Sequence, residues 1–176
     1  MFARRNILAI GAIALVAGCA TPSIRTAGDG TVLNVQSVSV DTSSMGTAVS
    51  GRENTTTIEQ LDAHLTAAVT AELNAASDPN GVAADVSVVV ESVDLAPPLT
   101  RVAAATSSIT AVVTVTEQGS GRTIVPPTQL TGNTNSLRGA GAIGLATTRT
   151  VDQDYRSTLA GFASTVRAAL FGSDTQ

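Results

Sequence analysis

The sequence predicts an α+β domain: a two-layer sandwich in which a four-stranded mixed sheet carries two helices on one face, in the order β-α-β-β-β-α. Three observations predict it. Two windows, from Ile58 to Ala76 and from Tyr155 to Leu170, repeat apolar residues at three- and four-residue steps, the period of a helix with one buried face. Four other windows alternate apolar with polar residues, the period of a half-buried strand. The first two strands flank a helix and so form a parallel unit with a right-handed crossover, while the next two steps are antiparallel. Elements with one apolar face each are satisfied by two layers. The order of the strands across the sheet stays open.

The first strand is TVLNVQSVSV, residues 31–40. Leu33 and Val35 share one parity, and Val38 and Val40 the other, so a bulge belongs near Gln36 and Ser37. Residues 41–56 read as a long loop. Thr56 with Glu59, and Thr57 with Gln60, both fit a capping box ahead of the helix. Ile58, Leu61, Leu65, Val69, Leu73 and Ala76 form its apolar stripe. SDPNG, residues 77–81, ends it in a tight turn.

Val82, Ala84, Val86, Val88 and Val90 alternate with Ala83, Asp85, Ser87 and Val89 up to Glu91, giving the second strand. Residues 95–107 are a second long connection, stiffened by Pro97 and Pro98. Ile109, Ala111, Val113 and Val115 mark the third strand, TEQGSGR a short turn, and TIVPPTQL the fourth strand. Pro126 and Pro127 cannot donate to a ladder, so the fourth strand belongs at an edge. Residues 131–150 form a third long loop. Tyr155, Leu159, Phe162, Val166, Ala169 and Leu170 then mark the second helix.

Strand direction gives the domain two unlike ends. Strands one, two and four point the same way, so the long loops 41–56, 94–107 and 131–150 emerge together, at the end where both helices begin. Long loops inside a compact domain are uncommon and are often functional or disordered. Arg52, Arg101, Arg138 and Arg149 fall in these loops, and two helix N-termini add positive partial charge nearby. One reading makes this end a binding surface for an anionic or carboxylate-rich partner. The other makes the four Arg plain surface charges paired with Asp41, Glu53 and Asp94, each pair worth little.

The chain starts MFARRN, with Arg4 and Arg5, and continues through an uncharged run from Ile7 to Gly18. A spanning helix needs roughly 20 apolar residues, so this run is too short, and a basic start before a short apolar middle with small residues at its end is a secretory signal. Val16-Ala17-Gly18-Cys19 resembles the lipobox of bacterial lipoproteins. That resemblance implies cleavage between Gly18 and Cys19 and lipid on the Cys19 thiol and amine. Two or three acyl chains hold far better than one, since each buried methylene contributes about 0.8 kcal/mol. In that family Asp after the cysteine favours the inner membrane. Ala20 stands there instead, so the resemblance implies the outer membrane.

The chain thus divides into a signal (1–18), a tether (19–30), one α+β domain (31–171) and a tail (172–176). The part from Cys19 onward is long enough to bury a core. The two Arg of the signal leave eight basic against 14 acidic side chains, a net charge of about −6 with His neutral. That is not the footprint of a nucleic-acid binder or of a polybasic membrane patch. Cys19 is the one cysteine, so no disulfide forms within the chain. With no Trp, and only Tyr155, Phe162 and Phe171 as aromatics after Cys19, the core rests on small aliphatic residues.

Chemical motifs are weak. Gly139, Gly141 and Gly144 have the G-x-G-x-x-G spacing but follow the fourth strand, without the strand context or distal carboxylate of a dinucleotide site. They fit a hinge or an apolar docking loop better. His64, the one histidine, sits to the side of the first helix's stripe, at its boundary or in solvent. One histidine and a lipid-bearing cysteine do not make a zinc site. Asp152 and Asp154 head the second helix, where carboxylates favour the dipole. Arg156 and Arg167 read as surface charges. No catalytic residue or cofactor is expected.

The β-α-β-β-β-α order over residues 31–171 is also similar to the lipopolysaccharide-assembly lipoprotein and to auxiliary lipoproteins of ABC-type envelope transporters, which are non-enzymatic subunits. By this resemblance the chain is an accessory subunit that meets an envelope protein partner. A carrier of a small ligand or lipid, with a pocket between sheet and helices, is the other class of function the sequence allows.

Overall fold

In the computed structural model, residues 30–45, 58–95, 106–134 and 151–172 are described. They form β1 (Leu33–Asp41), a 3-10 turn (Ser43–Met45), α1 (Ile58–Ala76), β2 (Val82–Asp94), β3 (Ser108–Glu117), β4 (Thr123–Asn133) and α2 (Val151–Phe171). The sheet is mixed and its strand order is β1-β2-β3-β4. β1 and β2 are parallel, and the other two pairs are antiparallel. The α+β two-layer expectation therefore holds. The lateral order, which alternation cannot reveal, is the sequential one.

The parity switch in β1 is a bulge. Val35 pairs with Ala84 and Ser37 with Asp85, leaving Gln36 as the extra residue. It lets Leu33 and Val35 on one side of the bulge, and Val38 and Val40 on the other, all face the helices. A second bulge was not legible. The β2 register slips between Val90 and Ser92, so Glu91 is extra and the buried set moves from Val86, Val88 and Val90 to Val93 and Leu95. β2 thus extends to Asp94, beyond the end that alternation suggests at Glu91. β4 likewise runs on through Asn133, residues read from sequence as loop. Pro126 and Pro127 do lie on an edge strand.

α1 packs over β1, and α2 over β4 and β3, and the helices pack against each other. Between the layers lie Leu61, Leu65, Val69 and Leu73 of α1 and Phe162, Val166 and Leu170 of α2, against Val86, Val88, Ile109 and Val113 of the sheet, all at most 1% exposed. Each buried aliphatic or aromatic side chain contributes about 1.5–3 kcal/mol, so this apolar interior is the main source of stability. Leu95 closes one end of it.

The turn from α1 into β2 is tight. Asp78 Oδ1 accepts from the Asn80 N–H at 2.8 Å, and the Asp78 carbonyl accepts from the Gly81 N–H at 2.9 Å. Gly81 then runs against β1. A Cβ there would meet the Leu33 carbonyl carbon at 2.7 Å, so only glycine lets β2 start in register. In the β3–β4 hairpin, Glu117 Oε2 accepts from Ser120 Oγ at 2.8 Å and from Arg122 Nε at 3.0 Å. The Ser120 hydroxyl first, and Arg122 second, hold the Glu117 carboxyl below its usual range.

Candidate functional site

Two interactions between elements show how the helices are set on the sheet. Ser77, just after α1, lies beside Val35 near the start of β1. Asp154, in the first turn of α2, lies beside Ser107 at the start of β3. Both helices therefore run antiparallel to β1, β2 and β4, and begin at the end of the domain opposite the point where the chain enters β1. The chain leaves the described residues at Met45, Leu95 and Thr134 and returns at Ile58, Thr106 and Val151, all at this distal end.

A groove of about 560 Å³ lies there between the first halves of α1 and α2. Ala67, Ala68, Leu159, Ala160 and Tyr155 give it an apolar lining, and Gln60, His64, Asp152 and Arg156 a polar one. Small residues on the facing helices leave this space, since Ala fills less than the Leu and Val that close the layer beneath. The sequence reading put a possible cavity between sheet and helices. The cavity found among the described residues lies between the helices.

His64 and Tyr155 join the helices across the groove. The Nδ1 of His64 and the Tyr155 hydroxyl are 3.3 Å apart. Their rings meet edge to face, with centroids 5.9 Å apart and planes at 62°, an attractive geometry for aromatic pairs. His64 is exposed, as its place beside the stripe suggested, while Tyr155 is 6% exposed. Burial pushes the Tyr155 hydroxyl up to about 12, because the phenolate would lose its hydration. At neutral pH the hydroxyl is protonated and can serve His64 as donor or acceptor.

The two carboxylates at the head of α2 differ. Asp152 is exposed on the groove. Asp154, read from sequence as a second dipole partner, is 4% exposed and accepts from the Ser107 hydroxyl at 2.6 Å, itself 1% exposed. A buried carboxylate needs such donors, and here the bond ties the start of β3 to α2. Thr158 Oγ1 donates to the Asp154 carbonyl at 2.8 Å. Nothing in a spacing of two acidic residues could reveal which of them is buried.

Arg156 is exposed beside Asp152 on the groove, and Arg167 is half-buried further along α2. Gly18 and Cys19, Arg52, Arg101, Arg138 and Arg149, and Gly139, Gly141 and Gly144 lie outside the described residues. Among the described residues, no three His, Cys, Asp or Glu side chains come together as a metal site, and no helix is long and apolar enough to cross a membrane.

No protein-family model matches the chain. No curated protein matches it either. Among solved structures it is similar to the crystal structure of protein XCC0632 from Xanthomonas campestris, described by the family model DUF330, with 11% identity over 78% of this chain and 81% of that one and a TM-score of 0.42.

Proposed function

We propose that this chain is a non-enzymatic accessory subunit, anchored at the outer membrane by lipid on Cys19 and facing the periplasm, whose distal end engages an envelope protein partner. The observation that carries the reading is the polarity of the domain. The chain enters β1 at one end, while both helix N-termini, the groove and the ends of segments 46–57, 96–105 and 135–150 gather at the other. An anchor on Cys19 would turn that second end away from the bilayer. Arg52, Arg101, Arg138 and Arg149 belong to those segments, and Arg156 lies on the groove.

The test is a crosslinking pull-down of the lipidated chain from envelopes. One partner should be recovered with the parent, and recovery should fall when Arg52, Arg101, Arg138 and Arg149 are all changed to Gln. Unchanged recovery would remove the arginines from the reading, and no recovered partner would remove the accessory role.

The groove supports a second reading, a carrier of a small amphiphile whose apolar part would lie on Ala67, Ala68 and Leu159. Native mass spectrometry after gentle extraction separates the two. A carrier comes away with a bound small molecule, an accessory subunit with a protein.

A further inference from the structure

β1 is an edge strand, and part of its free edge is already satisfied. In the parallel ladder the bridge pattern decides which residues turn their backbone groups toward β2. The Val82 N–H donates to the Val32 carbonyl, so Val32 and Asn34 face β2, while Leu33 and Val35 face outward. The bulge at Gln36 shifts this parity. Beyond it Ser37, Ser39 and Asp41 face β2, and Val38 and Val40 turn both N–H and C=O outward.

The lower outward groups are covered by the chain after α1. The Asp78 N–H donates to the Leu33 carbonyl at 3.1 Å, and Ser77 Oγ accepts from the Val35 N–H at 3.1 Å. That hydroxyl donates in turn to the Leu73 carbonyl. At the top, Ser44 Oγ donates to the Val90 carbonyl at 2.7 Å, which takes up the β2 group that β1 is too short to reach. Among the described residues nothing outside the ladder bonds the backbone of Val38 or Val40. The opposite edge of the sheet carries Pro126 and Pro127, which cannot accept a new strand's full ladder. Among the described residues, one short stretch of edge is left open between two that are covered or blocked.

The side chains around this stretch fit a further strand. Val38 and Val40 lie on the helix-facing side, opposite Val86 and Val88, yet stay half-buried. The apolar layer is therefore open at this edge. Ser37, Ser39 and Asp41, on the other face, are exposed. Asp41 is the single charge of β1.

We propose that Val38–Val40 of β1 is a strand-addition site for an extended segment of another polypeptide. That segment carries apolar side chains at alternate positions, to cover Val38 and Val40, and a basic residue opposite Asp41. Main-chain bonds supply affinity in this mode and the alternate side chains supply specificity. A second copy of this chain fits less well. Two β1 strands paired antiparallel about Ser39 would send their tethers to opposite ends of one sheet, against anchorage in a single bilayer. This exclusion alone rests on the lipid-anchor reading.

The test uses the full mature chain, isotope-labelled and carrying Cys19→Ser, with the acetylated peptide Arg-Val-Thr-Val-Thr-Val as the probe. Titration should shift the amides of Val38 and Val40 and protect them from solvent exchange. Val40→Pro removes an outward N–H without touching the β1–β2 ladder and should weaken binding about tenfold. Peptides N-methylated at alternate residues keep the test decisive should that variant unfold. Methylation of the amides that face β1 should abolish binding, and methylation of the others should not. The proposal is overturned if the Val38 and Val40 amides stay unprotected at millimolar peptide, or if both methylated peptides bind alike. It is also overturned if sedimentation shows the chain pairing with itself through these residues. No lipid enters the assay, so its failure leaves the anchoring reading standing, and an unmodified Cys19 leaves the strand-addition site standing.

Discussion

Gly132 of β4 lies directly beneath Phe162 of α2: a Cβ on Gly132 would fall 2.3 Å from the Phe162 Cα. The helix backbone rests on the sheet there, with no side chain between them. Gly132→Ala must push α2 away or bend β4, and overpacking of this kind costs about 1–3 kcal/mol. Thermal unfolding of the variant should start several degrees below the parent. An unchanged melting temperature would mean that α2 does not sit where it is described.

Ser107 and Asp154 predict a second loss. Ser107→Ala leaves the buried Asp154 carboxylate without the hydroxyl now 2.6 Å away, and a buried acceptor short of a donor costs about 1–3 kcal/mol. Denaturant unfolding should show a lower midpoint with an unchanged slope. Ser157→Ala, on the same helix, should be nearly neutral by comparison.

Tyr155 is the chain's one tyrosine, so tyrosinate absorbance reports it without interference. Its hydroxyl is raised from 10.0 to about 12 by burial. The folded state therefore holds this proton more tightly than the unfolded state. The stability it contributes is fully present below about pH 10 and falls as pH rises from there through about 12. Absorbance titration of the folded chain should give a midpoint near 12, and of the denatured chain near 10. Tyr155→Phe should remove the difference in alkaline stability.

Pro126 and Pro127 predict an effect on association rather than folding. Replacing both by Thr restores two N–H groups to an edge strand, and an unprotected edge is a template for pairing between molecules. The double variant should self-associate at concentrations where the parent stays as it is, as light scattering would show. Equal scattering would mean that the prolines do not guard that edge.

The legible parts of the fold were those written in side-chain period. The first bulge could be read because Leu33 and Val35 differ in parity from Val38 and Val40, with polar residues between. The second could not, because Val88, Val89 and Val90 are apolar on both faces and hide the slip at Glu91. The edge position of β4 followed from two prolines, a backbone property visible in the residue type. Strand order, the burial of Asp154 and the approach of Gly132 to Phe162 depend on which surfaces meet in three dimensions, and no local pattern encodes that. The same holds for the groove. His64 was placed correctly beside the α1 stripe, yet its partner Tyr155 lies 91 residues away on another helix. The four loop arginines were singled out by strand direction alone, and they lie outside the described residues.

The proposed function depends on a lipid on Cys19 that ties the domain to the outer membrane. Mass analysis of the N-terminal peptide, taken from the protein in its native membrane, tests it most directly. A lipid-anchored chain should begin at Cys19 and be heavier than the bare peptide by a diacylglyceryl group and an amide-linked acyl chain. A free thiol at Cys19, or a peptide that still starts at Met1, would contradict it.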